Sequence, residues 1–180
     1  WCDDTWPAST APVQPLNGGF ALDGAGGVVR LFGKTGQLVD FVAYGFQVPD
    51  LSIGRSGTEW ALLSKPTPGM ANEKPLALGD PGTVRINEWL ASSDGGDWVE
   101  LYNPGPLAVS LAGLTLTDDP SLAGQTHFLI GPLTFISGPG WVVYRADGDV
   151  MRGPNHLPFR IDALGETLRL YTRGFSIIDE

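Results

Sequence analysis

Cysteine and histidine are nearly missing from this chain of 180 residues, and each shortage excludes a class of protein. The single cysteine, Cys2, has no partner in the sequence, so an internal disulfide framework and a cysteine-based zinc site are excluded. The two histidines, His127 and His156, show no paired-ligand spacing, and no G-x-S-x-G motif is present to hold a serine nucleophile. We therefore predict that the chain is not an enzyme.

Positive charge is scarce as well. Three lysines and eight arginines are scattered among 20 acidic residues, which leaves a formal net charge of −9. Binding a polyanion needs clustered basic side chains that displace its counterions, so the sequence predicts no nucleic-acid partner. The apolar runs are also far shorter than the roughly 20 residues that a membrane-spanning helix needs, so we expect no membrane insertion.

Glycine and proline, by contrast, are abundant, with 25 and 15 residues. They separate short segments of strand-like alternation, of which residues 97–103 are the clearest. There Val99 and Leu101 fall on one face, and Trp98 and Tyr102 fall on the other. Short strands joined by Gly/Pro turns are typical of an all-β sandwich, which is the fold class that the sequence predicts.

The chain also matches itself once. Residues 20–40 align without a gap on residues 159–179, at an offset of 139 positions. The identical pairs are Phe20/Phe159, Asp23/Asp162, Gly26/Gly165, Arg30/Arg169, Leu31/Leu170 and Asp40/Asp179. A self-match at a fixed offset is typical of tandem modules. We therefore predict that the chain is a window on a longer protein, opening late in one copy and closing near the end of the next.

This repeat divides the sequence into three predicted parts. Residues 1–63 are the C-terminal part of a preceding copy, residues 64–83 are a linker rich in proline and glycine, and residues 84–180 are a second copy truncated at its last strand. Because an isolated hairpin is marginal in water, we expect the extra hairpin at residues 28–42 to dock on the second copy. It would dock within the same chain or in a strand-exchanged dimer.

Motifs of the second copy occur in an order that carries a resemblance. I-N-E at residues 86–88 is followed by D-W-V-E-L-Y-N at 97–103, L-A-G-L-T-L-T-D at 111–118, G-W-V-V-Y at 140–144 and G-E-T-L-R-L-Y at 165–171. In this order the motifs resemble a lamin tail domain of the bacterial type. The resemblance covers residues 84–180, and the end of a previous copy precedes it.

Fold, role and location follow as implications of that resemblance. It implies an immunoglobulin-like β-sandwich and a non-catalytic structural or adhesive repeat of a larger secreted or surface bacterial protein. The implied partners are neighbouring repeats of the same parent protein. The nuclear branch of the family has partners in chromatin, but its basic surface is absent here, so that role is not carried over.

Aromatic side chains are the candidates for ligand binding, because sugar rings stack on exposed aromatic faces. The sequence has six tryptophans and four tyrosines. The candidate residues are Trp98, Tyr102, Trp89 and Trp60. A sandwich core also requires large aromatic side chains, so packing stays open beside an extracellular glycan or protein ligand. Nothing fixes the spacing that an acidic pair for glycoside hydrolysis would need.

Acidic turns are the candidates for a metal site. Calcium prefers hard oxygen donors, and three Gly- or Asp-rich turns supply them. The candidate ligands are Asp94, Asp97, Asp118, Asp119, Asp147 and Asp149. Aspartate also favours turns through local hydrogen bonds, so a purely structural role stays open. We expect no other cofactor.

Overall fold

The computed structural model describes residues 2, 4–9, 16–92, 94–121 and 123–180, and its ordered elements are almost all β-strands. They form small antiparallel sheets, which confirms the predicted all-β class. Within this described part, no helix is long and apolar enough to cross a membrane. Residues 10–15, which belong to the predicted first copy, lie outside the described residues, and so do Ser93 and Leu122.

Within the described residues, short strands and three brief 3₁₀ helices make up the ordered structure. The strands are β1 (Gly27–Phe32), β2 (Leu38–Tyr44), β3 (Ser52–Ser56), β4 (Glu59–Leu63), β5 (Arg85–Leu90), β6 (Trp98–Asn103), β7 (Val109–Ser110), β8 (Thr115–Thr117), β9 (Phe135–Ile136), β10 (Gly140–Arg145), β11 (Arg169–Tyr171) and β12 (Ile177–Asp179). The 3₁₀ helices are Pro81–Thr83, Gly124–Thr126 and Val150–Arg152.

Two three-stranded sheets share the main hydrophobic core. One has the strand order β10-β6-β5, and the other has the order β12-β11-β8. Val99 and Leu101 of β6 are fully buried in this core, and so are Leu116 of β8 and Leu170 of β11. The alternation along β6 therefore points one face at the core and leaves the other face half-exposed.

The two segments that match in sequence form hairpins of the same geometry. Both have a bulge at the same place, and the matching cross-strand pairs are Leu31–Asp40 with Leu170–Asp179, and Phe32–Leu38 with Tyr171–Ile177. Their turns close with the same bond. The N–H of Gly33 donates to the carbonyl of Gln37, and the N–H of Thr172 donates to the carbonyl of Ser176, at 2.8 Å in each case. The sequence match therefore extends to the backbone.

Identical aspartates occupy the fourth position of both matched segments. The Asp23 carboxylate accepts a hydrogen bond from the N–H of Ala25, and the Asp162 carboxylate accepts one from the N–H of Leu164, both at 2.8 Å. A short side chain that bonds the backbone two residues ahead stabilises a turn. These two aspartates thus have a local structural role.

The chain that follows β2 packs across residues 84–180, the predicted second copy, which keeps that name below. The N–H of Gly45 donates to the carbonyl of Leu133 (3.2 Å), and the N–H of Phe135 donates to the carbonyl of Phe46 (2.9 Å). A side chain at Gly45 would overlap that of Thr134, so the close approach requires glycine here. This segment is therefore fitted to the second copy rather than merely resting on it.

A second, smaller apolar cluster extends the contact. It joins residues of the 48–62 segment to residues of the second copy, and its buried members are Val48, Leu62, Ala108 and Phe135. Part of the predicted linker contributes too, since the N–H of Leu76 donates to the carbonyl of Leu62 and the N–H of Gly79 donates to the carbonyl of Ala108, both at 2.8 Å. Residues 45–63 and 75–79 thus lie against the second copy.

Candidate functional site

The outer face of the β10-β6-β5 sheet carries a stacked aromatic pair. Trp141 of β10 lies directly opposite Tyr102 of β6, with 5.0 Å between the ring centroids and 19° between the ring planes. Trp98 lies on the same face of β6 and is half-buried, whereas Trp141 is 57% exposed. Two of the four aromatic candidates, Trp98 and Tyr102, therefore share one face with an exposed indole.

Hydrogen-bonding groups lie beside these rings. Glu100 is on the same face between Trp98 and Tyr102, and it accepts a hydrogen bond from the side-chain amide of Asn87 at 2.7 Å. Glu88 of β5 is the cross-strand neighbour of Glu100. Tyr102 covers one face of the Trp141 ring, so the exposed part of this indole, edged by carboxylate and amide groups, is what could meet a ligand that has both an apolar face and hydroxyl groups.

Trp141 is absent from the candidates that the sequence supplies. The G-W-V-V-Y segment alternates, so its signal was present: Gly140 and Tyr144 are buried, and Trp141 points away from them. What the sequence does not reveal is that β10 pairs with β6 in the register that places Trp141 on Tyr102. The strand β10 can be recognised in the sequence, but its pairing with β6 cannot, and this pairing is what brings Trp141 to Tyr102.

Trp89 lies elsewhere, in a cleft of about 400 Å³ at the edge of the main core. Ile161, Leu168 and Glu166 also line this cleft, and Trp89 is 58% exposed. Partial burial raises the pKa of Glu166 above its ordinary value, with the nearby carboxylates of acidic neighbours acting in the same direction. Trp89 is therefore not part of the Trp141 face.

Trp60 occupies a third place, on the β3–β4 hairpin. The guanidinium carbon of Arg55 lies 4.3 Å from the centroid of the Trp60 ring, and the two residues are cross-strand partners. One face of the half-buried indole is thus covered by a cation from its own hairpin. The four aromatic candidates do not form a single site.

The acidic turn at residues 147–149 is held by ion pairs and backbone bonds. Asp147 lies 2.8 Å from Nδ1 of His156 and accepts a hydrogen bond from Arg152 at 2.6 Å. Although partial burial acts in the opposite direction, these groups and the N–H of Asp149 hold the pKa of Asp147 below its ordinary value. Asp149 caps the 3₁₀ helix that follows by accepting the N–H of Met151.

The turn at residues 118–119 has a similar character. The Asp118 carboxylate lies 3.1 Å from Nδ1 of His127. The N–H of Ser121 donates to Asp119 at 2.8 Å, and this bond, together with one from the Ser121 hydroxyl, holds the pKa of the Asp119 carboxyl below its ordinary value. Both carboxylates thus bond to groups within ten residues of their own loop.

The first acidic turn has a different setting. Asp94 is exposed, and the backbone carbonyl of Asp97 accepts the N–H of Ala146 at 2.8 Å. Across the described ranges, no three side chains of His, Cys, Asp or Glu lie close enough together to hold a metal ion. The six aspartates are thus spread over three separate turns.

Comparisons with known proteins give no relative for this chain: no protein-family model, no curated protein and no solved structure matches it.

Proposed function

We propose that this chain is a non-catalytic structural module of a larger secreted or cell-surface protein, in which it holds neighbouring units at a fixed spacing and mediates protein interaction. One observation carries the proposal. The segment after the first hairpin is fitted to the second copy through Gly45, Phe46 and the cluster around Phe135. Backbone hydrogen bonds together with a buried apolar cluster favour a fixed arrangement of two units, which is what a spacer requires.

The use of buried polar groups supports the same proposal. Asn103, at the end of β6, is fully buried, and its amide group donates to the carbonyls of Leu107 (2.8 Å) and Ser137 (2.9 Å). Its side-chain oxygen accepts the N–H of Gly105 at 3.0 Å. This side chain joins the β6–β7 loop to the β9–β10 loop at one end of the sheet, and such a fully bonded buried amide contributes to stability rather than to chemistry.

We propose further that residues 84–180 form an immunoglobulin-like sandwich of the lamin tail type, and that the chain contains parts of two tandem copies. The shared core of the two three-stranded sheets supports the first proposal. The identical register, bulge and turn bonds of the β1–β2 and β11–β12 hairpins support the second.

The experiment that tests the spacer role is chemical unfolding of the full chain, followed at once by far-ultraviolet circular dichroism and by tryptophan fluorescence. A rigid two-unit body is expected to give coincident transitions for both signals. The Phe46→Ala variant is expected to separate them. Transitions that are already separate in the unaltered chain would mean that the two units move independently, and the spacer role would fail.

A second candidate function is binding of a carbohydrate, and the Tyr102–Trp141 stack is the observation that favours it. The exposed indole and the neighbouring Glu100 provide a stacking surface and a hydrogen-bond acceptor on one face.

The test of carbohydrate binding is a glycan array probed with the full chain, with Ca²⁺ and again with EDTA. Selective binding should be lost in Trp141→Ala and kept in Trp89→Ala, whose exposed indole lies outside this face. Loss of binding in EDTA would implicate the acidic turns. If no glycan on the array binds, carbohydrate binding is excluded and the structural role is the function that remains.

A further inference from the structure

Matched residues of the two hairpin segments have opposite environments. The exposed fractions are 48% for Phe20 against 5% for Phe159, 52% for Leu22 against 7% for Ile161, 59% for Leu31 against 0% for Leu170, and 56% for Phe32 against 2% for Tyr171. The two hairpins share their register, bulge and turn bonds. Because the two hairpins match in side-chain type and in backbone geometry, their different exposed fractions result from the residues that cover each hairpin.

The cover of the β11–β12 hairpin comes from residues 84–158. Leu170 is packed in the main core with Leu101 of β6, and it pairs with Leu116 of β8. The Asp179 carboxylate accepts the N–H of Ile86 in β5 at 2.9 Å. A sheet layer therefore meets this hairpin through both apolar packing and a specific backbone bond.

Among the residues that the structure describes, none gives the β1–β2 hairpin such a cover. One face of this hairpin carries Val29, Leu31 and Val42. It borders a cleft of about 500 Å³, which Val29 and Val42 line together with Ile53 and Trp60 of the β3–β4 hairpin. Within the described ranges, the carboxylate of Asp40, the counterpart of Asp179, makes an exposed 3.5 Å ion pair with Arg55 and accepts the N–H of Phe41. Contiguous apolar surface of this kind marks an interaction site.

We propose that the β1–β2 hairpin is the docking surface for a β-sheet layer with the sequence pattern of residues 84–158, supplied by another unit of the same parent protein. Residues 20–42 and that layer then form a sandwich like that of residues 84–180, while residues 45–63 keep their place against residues 84–180. Leu22 and Leu31 then become core residues, and Asp40 accepts the N–H of the residue that corresponds to Ile86. This inference rests on the proposed role as a tandem structural module.

The test joins a second copy of residues 84–158 directly to Phe20, which reproduces the junction before Phe159 and leaves residues 20–180 unchanged. Amide hydrogen exchange of residues 28–42 is measured in this chimera and in the 180-residue chain. We expect rapid exchange in the chain and marked protection in the chimera, because a covered hairpin opens only when its layer detaches. Failure of the 28–42 amides to gain protection in the chimera would overturn the proposal.

Matched variants sharpen this comparison. Leu31→Asp is expected to abolish the protection in the chimera while leaving the unfolding midpoint of the chain nearly unchanged, since Leu31 is 59% exposed there. Leu164→Asp, at a position 96% exposed, should alter neither. Equal loss of protection in both variants would contradict a specific docking face.

The size of the 180-residue chain in solution tests the choice of occupant. A dimer that protects residues 28–42 and is lost in Leu31→Asp would assign the surface to a second copy of this chain and overturn the proposal. A monomer at all concentrations supports it. Failure here is separable from failure of the spacer role, because the Phe46 contact and its unfolding test do not involve the β1–β2 hairpin.

Discussion

The ring of Phe46 meets the ring of Tyr144 edge-on, with 5.1 Å between the ring centroids and 88° between the ring planes. Phe46 comes from the segment after the first hairpin, and Tyr144 is fully buried in the core of the second copy. Phe46→Ala is therefore expected to lower the free energy of unfolding of the second copy by about 2 kcal/mol in chemical denaturation. Leu164→Ala, at a side chain 96% exposed, is the control and should cost less than about 0.5 kcal/mol. Equal effects would mean that Phe46 does not stabilise the second copy.

The hydroxyl group of Tyr144 has no hydrogen-bond partner among the described residues, and burial raises its pKa well above the ordinary value. Leaving a buried donor unbonded costs free energy that phenylalanine does not incur. Tyr144→Phe should thus raise the free energy of unfolding by about 1 kcal/mol, as measured by the denaturation midpoint at constant slope. A clear loss of stability would show that the hydroxyl is bonded in solution.

Trp141 and Tyr102 should also stabilise one another in the absence of any ligand. An offset-stacked pair contributes about 0.5–1.5 kcal/mol beyond its buried area. A double-mutant cycle with alanine at both positions is expected to return a coupling energy of that size. The cycle that pairs Trp141 with Trp89 serves as the comparison and should give a coupling near zero. Equal coupling in both cycles would contradict a specific contact.

Asp147 gives the fold a dependence on pH. Its pKa is lower in the folded chain than in the unfolded chain, so its stabilising contribution is fully present above the unfolded value of about 3.9 and is lost as the pH falls through the lower folded value. Asp147→Asn should therefore cost about 1 kcal/mol at pH 7, and the difference from the unaltered chain should shrink towards pH 2. A difference that does not change with pH would exclude a charge effect.

The β-class and several strands could be predicted from sequence because their signals are local. The alternation of β6 follows directly from residues 97–103. Gly33 and Gly174 mark the turns that join β1 to β2 and β11 to β12, and both turns can be recognised in the sequence. The self-match of residues 20–40 also carries over to the backbone, since register and bulge depend on the same turn. Local chemistry therefore specifies these elements.

The β3–β4 hairpin and the docked segment could not be predicted in the same way. β3 reads Ser-Ile-Gly-Arg-Ser, which has too few apolar residues to show alternation. In β4, the consecutive residues Leu62 and Leu63 are both buried, because neighbouring chain covers both faces. Such burial depends on contacts with residues far along the chain, as does the placement of Trp141 on Tyr102.

The most direct test of the rigid two-unit body is native-state hydrogen exchange at two amides. The N–H of Phe135 bonds the carbonyl of Phe46, and the N–H of Leu76 bonds the carbonyl of Leu62. If the segment after the first hairpin is part of one body, both amides should exchange only through the global opening that exposes Leu101 in β6. In Phe46→Ala, the Phe135 amide should exchange faster than global unfolding allows. The Leu101 amide of the same variant should still exchange only through global unfolding. Exchange of both amides at the rate of exposed loops in the unaltered chain would contradict the rigid body.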